Sequence, residues 1–113
     1  PIVLQNIFFD SGSAALLPAS DHEIQLIAAM MQENLDISIK ITGHTDDVGG
    51  DQANLTLSDQ RAKSVASAII AKGIDADRVF AEGKGETMPV ADNNTQEGRQ
   101  KNRRTEMQIL WSK

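Results

Sequence analysis

The sequence offers one carboxylate and one guanidinium whose setting could do binding chemistry. Asp46 lies in Gly43-His44-Thr45-Asp46-Asp47-Val48-Gly49, inside a stretch from Gly43 to Ala53 that holds three glycines and three aspartates. Arg61 follows in a helical pattern. A carboxylate accepts hydrogen bonds from an ammonium, and a planar guanidinium grips a carboxylate through parallel bonds. By residue type alone, Asp46 equally suits a turn-capping carboxylate and Arg61 a solvated helix arginine. Asp47 reads as solvated.

Other chemistries lack their residues. With no cysteine in the chain, disulfides, thiolate metal sites and a cysteine nucleophile are excluded. The two histidines, His22 and His44, form no H-E-x-x-H pair, and a metal site needs a denser ligand set. No metal and no cofactor is therefore expected. His44 reads as a loop-ordering residue and His22 as an exposed one at a helix start. Gly83-Lys84-Gly85 lacks P-loop spacing, and no G-x-S-x-G is present. Arg99, Lys101, Arg103 and Arg104 cluster late in the chain. They could form a glycan or phosphate patch. The alternative is pairing with local acids such as Glu97 and Glu106, and Arg103 is read as structural in that way.

These residues need a scaffold, and hydrophobic periodicity outlines it. Ile2-Val3-Leu4 and Ile7-Phe8-Phe9 read as one buried strand, closed by the loop Asp10-Ser11-Gly12-Ser13. Ile24, Ile27, Met31 and Leu35 recur at spacings of three and four, which predicts an amphipathic helix after Pro18-Ala19-Ser20-Asp21. Residues 37–42 alternate strictly, as a half-buried strand does. A second helix is expected from Asn54 or Ser58 to Lys72, with Gly73-Ile74 as its C-terminal cap. Val79-Phe80-Ala81 reads as a short strand, Thr95 to Asn102 as one helical turn, and Thr105-Met107-Ile109-Trp111 as a final alternating strand. The order is β-α-β-α-β-β. It predicts an α/β (α+β) two-layer sandwich, with a mixed four-stranded sheet and helices on one face.

The bulk numbers agree with one compact domain over residues 1–113. Hydrophobic residues make up 40% of the chain and aromatics 4%, so the core must be aliphatic. A net charge of -5 argues against nucleic acid as a partner. No run reaches the roughly 20 apolar residues of a membrane span. The abrupt opening at Pro1 reads as an excised domain or a mature fragment, with membrane attachment only through a missing N-terminal segment.

Three separated motifs then occur in order: G-H-T-D-x-x-G at 43–49, N-x-x-L-S-x-x-R-A at 54–62 and G-R-x-x-N-R-R at 98–104. With the Phe8–Ala14 opening, they resemble the OmpA-like peptidoglycan-binding domain, over nearly the whole chain. The resemblance implies a non-catalytic module that binds peptidoglycan through meso-diaminopimelate of the stem peptide. It would anchor an outer-membrane or envelope protein to the wall in the periplasm of a Gram-negative bacterium. It implies that Asp46 holds the ammonium and Arg61 the carboxylate at the free end of that residue. Asn54, Leu57, Ser11 and Gly12 match supporting positions. Gly12 stands where many relatives carry Asp or Asn, so its contacts come from backbone. Two other classes stay open beside this one. A wall-peptide amidase would need a zinc set or a positioned nucleophile. In a periplasmic assembly or dimerisation domain, as in stator or secretion-system relatives, partner docking or a homodimer would dominate over wall binding.

Overall fold

The computed structural model describes residues 1–111. Seven elements follow in order: β1 (Ile2–Val3), α1 (Asp21–Glu33), β2 (Ile37–His44), α2 (Asp51–Ala71), β3 (Val79–Gly85), α3 (Gln96–Asn102) and β4 (Arg104–Trp111). The strands form one sheet in the order β1-β4-β2-β3. β2 and β3 run parallel, joined by the α2 crossover, while β4 is antiparallel to β2 and β1. The mixed four-stranded sheet is the expected one. No helix among the described residues is long and apolar enough to cross a membrane.

Alternation in β2 builds the core. Ile37, Ile39 and Ile41 are buried on one face, and Ser38, Lys40 and Thr42 lie half-buried on the other. The isoleucines pack with Ile24, Ile27, Ala28 and Met31 of α1 and with Ala62, Val65, Ala66 and Ile69 of α2. At roughly 1.5–3 kcal/mol for each large aliphatic side chain buried, this cluster is the main driving force for the fold.

Two glycines set how closely α2 approaches the sheet. Gly43 and Gly83 are register partners on β2 and β3. A Cβ at Gly43 would fall under 3.0 Å from the Ser58 carbonyl oxygen, and one at Gly83 under 3.0 Å from the Asp59 nitrogen. The Ser58 hydroxyl completes the seam by accepting from the Gly85 N–H at 2.9 Å. Gly83-Lys84-Gly85 is thus strand, and β3 is longer than the apolar pattern predicts. Gly83 is needed for close approach, and Gly85 for its left-handed φ of 56°.

The first strand is much shorter than its apolar run predicts. β1 holds only Ile2 and Val3, both exposed. Leu4 is buried, but the chain turns at Gln5-Asn6 and leaves the sheet. Ile7 and Phe9 then pack on the rim of the core, while the Phe8 backbone N–H and carbonyl both bond the buried Ser20 hydroxyl. Tertiary contacts, not a strand ladder, account for this apolar stretch. α2 begins at Asp51, earlier than predicted, and α3 is a full helix of 7 residues. Its N-terminus is capped by Thr95, whose hydroxyl accepts from the Gly98 N–H at 3.0 Å.

Candidate functional site

β2 delivers Asp46 to the end of the sheet. The strand runs through His44, and Thr45 donates its N–H to the Gly85 carbonyl at 2.9 Å, so the loop leaves from a fixed point. The Asp46 side chain is only 9% exposed. Its Oδ1 accepts from the Val48 N–H at 3.0 Å, closing a local turn. Its Oδ2 accepts from Arg103 Nη1. The turn-capping and charge-binding readings of Asp46 therefore fall on its two different oxygens.

Arg103 is the partner that the sequence hid. It caps the C-terminus of α3, immediately before β4. The antiparallel register pairs His44 with Arg104, so residues just beyond His44 face residues just before Arg104. That register, absent from any local pattern, joins Arg103 to Asp46 across the sheet end. Arg104 takes the local acid instead: its Nε lies 2.6 Å from Glu106 Oε2, and other guanidinium nitrogens bond the Asn102 and Met88 carbonyls. Arg99 donates to the Asn93 carbonyl at 2.9 Å.

Arg61 is half-buried and aimed at the first loop. Nε donates to the Ser13 carbonyl at 2.8 Å and Nη2 to the Asp10 carbonyl at 3.3 Å. The guanidinium carbon sits 4.9 Å from the Phe9 ring centroid, a cation–π arrangement. Burial lowers its pKa from the ordinary value, and the nearby charge of Arg103 lowers it further. An arginine has five N–H donors, so about three remain for other partners. Arg61 is no simple solvated helix arginine.

The other expected positions separate. Asn54 is buried, and its Nδ2 donates to the Asp46 and Val48 carbonyls and to Glu86 Oε1. It orders the Asp46 loop from within α2. Leu57 is half-buried on α2. Ser11 and Gly12 are exposed between the two carbonyls that Arg61 holds. Gly12 adopts φ 67°, a left-handed conformation that glycine takes without steric cost.

His44 is not a loop residue but the last of β2, with its side chain 2% exposed. Nε2 lies 3.4 Å from Glu106 Oε1, near enough for charge attraction but long for a hydrogen bond, and no protein group among the described residues bonds Nδ1. Burial lowers its pKa, and Arg104 adds to the effect against the opposing Glu106. Among the described residues, no group of three His, Asp or Glu side chains could hold a metal ion.

Arg61 and Arg103 both line a groove of about 840 Å³ between segment 3–9, α3 and the start of β4. Phe8, Phe9 and Val90 supply apolar wall. Asp46 does not line it. Its partner Arg103 does, and the charge of Arg103 acts on Arg61 as well. A buried carboxylate and two guanidiniums at one sheet end suit a ligand that carries both signs of charge.

The model of the OmpA family matches residues 8–103 of this sequence, from the first loop through Arg103. The chain belongs to the OmpA family. This OmpA-family domain is 42% identical over 104 residues to "Probable lipoprotein YiaD" of Escherichia coli, covering 92% of this chain and 48% of that protein. It is 38% identical over 103 residues to "Peptidoglycan-binding protein ArfA" of Mycobacterium bovis, covering 91% of this chain and 32% of that one. The chain thus spans half or less of the length of these relatives. Among solved structures, the peptidoglycan-associated lipoprotein from Burkholderia pseudomallei superposes with a TM-score of 0.84 at 26% identity, covering 92% of this chain and 88% of that one.

Proposed function

We propose that this domain binds peptidoglycan without catalysis, through the zwitterionic end of meso-diaminopimelate in the stem peptide. The carrying observation is the pairing of Asp46 with Arg103, which lines one groove together with Arg61. The names of ArfA and of the Burkholderia lipoprotein, which describe those proteins as binding or associated with peptidoglycan, support the reading.

The ligand end carries an ammonium and a carboxylate on one carbon. The ammonium shares Asp46 Oδ2 with Arg103 or displaces it, at little cost because Arg103 is 44% exposed. The ligand carboxylate takes the N–H groups of Arg61 left over from Ser13 and Asp10. Those two carbonyls hold the guanidinium in place beforehand, which lowers the entropy lost on binding. A ligand lacking either charge leaves one of these groups poorly paired, and that penalty discriminates. Asn54 fixes the loop that carries Asp46, Leu57 lies on the same helix, and Ser11 and Gly12 offer backbone in the loop that Arg61 holds. The domain would anchor an outer-membrane or envelope protein to the wall in the periplasm of a Gram-negative bacterium.

The test is titration with a diaminopimelate stem peptide against its lysine analogue, which lacks the second carboxylate. We expect at least about tenfold weaker binding of the lysine form, since charge-assisted hydrogen bonds contribute roughly 1.5–3 kcal/mol. Asp46→Asn should lose co-sedimentation with wall sacculi. Equal binding of both peptides removes the role of Arg61, and full retention by Asp46→Asn removes that of Asp46.

A further inference from the structure

The groove carries more positive charge than a zwitterion can use. Arg61, Lys101 and Arg103 line it, with Glu97 as the lining acid and Asp46 paired with Arg103. Arg104 also lines it but is matched by Glu106. With Arg103 matched by Asp46, Arg61 and Lys101 stand against Glu97 alone, a local excess of one positive charge in a chain of net charge -5. Among the described residues, neither Arg61 nor Lys101 has a carboxylate within ion-pair distance. The guanidiniums of Arg61 and Arg103 are close enough for one to depress the pKa of the other. A zwitterion contributes no net charge, so after it binds the excess would remain.

We propose that this groove takes a second carboxylate of the same peptide ligand, with Lys101 as the residue that selects for it. The proposal rests on the peptidoglycan-binding reading and narrows its substrate: a peptide whose zwitterionic end is followed, within the groove's reach, by a further free carboxylate. Lys101 stands at one of the two unspecified positions inside G-R-x-x-N-R-R, so the motif itself does not dictate a cation there. Lys101 is exposed in the last turn of α3, free to reach over the groove. The apolar wall of Phe8, Phe9 and Val90 suits the aliphatic stem between the two charged ends. The second carboxylate could belong to an acidic residue beside the zwitterion or to the free C-terminus of the peptide. The chemistry is shared, and the experiment separates the sources.

Isothermal titration at low ionic strength would use four synthetic peptides bearing the diaminopimelate zwitterion. One keeps both extra carboxylates, one has the neighbouring acid amidated, one has the C-terminus amidated, and one has both amidated. The doubly amidated peptide should bind about two- to fivefold more weakly than the free one, the range expected of an exposed ion pair. One of the singly amidated peptides should reproduce that loss and so name the source. Lys101→Gln should bind all four with the weaker affinity, and about 0.5 M salt should erase the difference for the parent through screening. Equal affinity of the parent for all four peptides overturns the proposal, as does undiminished discrimination by Lys101→Gln. In either case, binding of the doubly amidated peptide that falls on Asp46→Asn leaves the zwitterion reading intact. No binding of any peptide by the parent overturns both.

Discussion

The Asp46 carboxylate and the Arg103 guanidinium pair across the end of the sheet, 57 residues apart in sequence. One partner is almost buried and the other is 44% exposed, so the two halves are unequal. Arg103→Ala would leave Asp46 Oδ2 without its partner in a low-dielectric setting. A loss of about 1 kcal/mol is expected, discounted for the exposure of Arg103. In a domain of this size that lowers Tm by about 4 °C, measurable by thermal denaturation. An unchanged Tm would mean that water satisfies Asp46 equally well.

Arg61 should govern the first loop as well as the ligand. Arg61→Lys keeps the charge but loses the fork that holds Ser13 and Asp10 and the stack on Phe9. Amide exchange in residues 10–16 should quicken by about an order of magnitude, while α1 and β2 keep their protection. Uniform protection across the variant would show that the loop is held by other contacts.

Gly43 and Gly83 should tolerate no side chain. Alanine at either position drives a methyl group into the α2 backbone at Ser58 or Asp59. Overpacking of this kind costs about 1–3 kcal/mol, and more where backbone must move. Urea denaturation of Gly43→Ala and Gly83→Ala should give midpoints well below the parent. Because α2 carries Arg61, peptide binding should weaken too. Gly50→Ala, with nothing near its Cβ, serves as the control.

His44 predicts how stability varies with pH. Its folded pKa lies below the ordinary 6.5, chiefly through burial and then through Arg104. Between the folded and unfolded values the unfolded chain binds more protons, so stability rises with pH in that window. The contribution is complete above pH 6.5 and is lost as pH falls through the folded value. Glu106 adds a second, more acidic window. Burial is the strongest single influence and raises its pKa, but the Arg104 hydrogen bond and charge, with His44, bring it below 4.5. Its contribution is present above 4.5 and is lost below. Urea midpoints from pH 7 to 5 should fall in the parent and flatten in His44→Gln. An equal slope in both would clear His44 of this role.

Asn102 should be among the most sensitive polar positions. It is fully buried; Oδ1 accepts from the Val90 and Ala91 N–H groups, and Nδ2 donates to the Ala91 carbonyl and Asn93 Oδ1. Asn102→Ala strands two backbone donors and should cost about 3 kcal/mol by chemical denaturation. A loss below about 1 kcal/mol would mean that water enters and replaces the amide.

The sequence by itself determined the layers of this protein. Strict alternation over 37–42 and the three–four spacing from Ile24 placed β2 and α1, because burial on one face leaves a period that side chains must obey. The motifs carried the family and pointed to Asp46 and Arg61. The tertiary structure decided what those residues touch. Ile2 to Phe9 is apolar enough for a long strand, yet a turn at Gln5-Asn6 sends Ile7 and Phe9 to the core rim by contacts no period records. Gly83 carries no periodic signal, and its need for glycine shows only once α2 is seen lying against it. Arg103, with Glu97 and Glu106 close in sequence, pairs instead with Asp46, because strand register is a long-range property fixed by how β4 docks on β2. Local patterns encode which face a residue takes. Pairing between distant charges exists only once the sheet has closed.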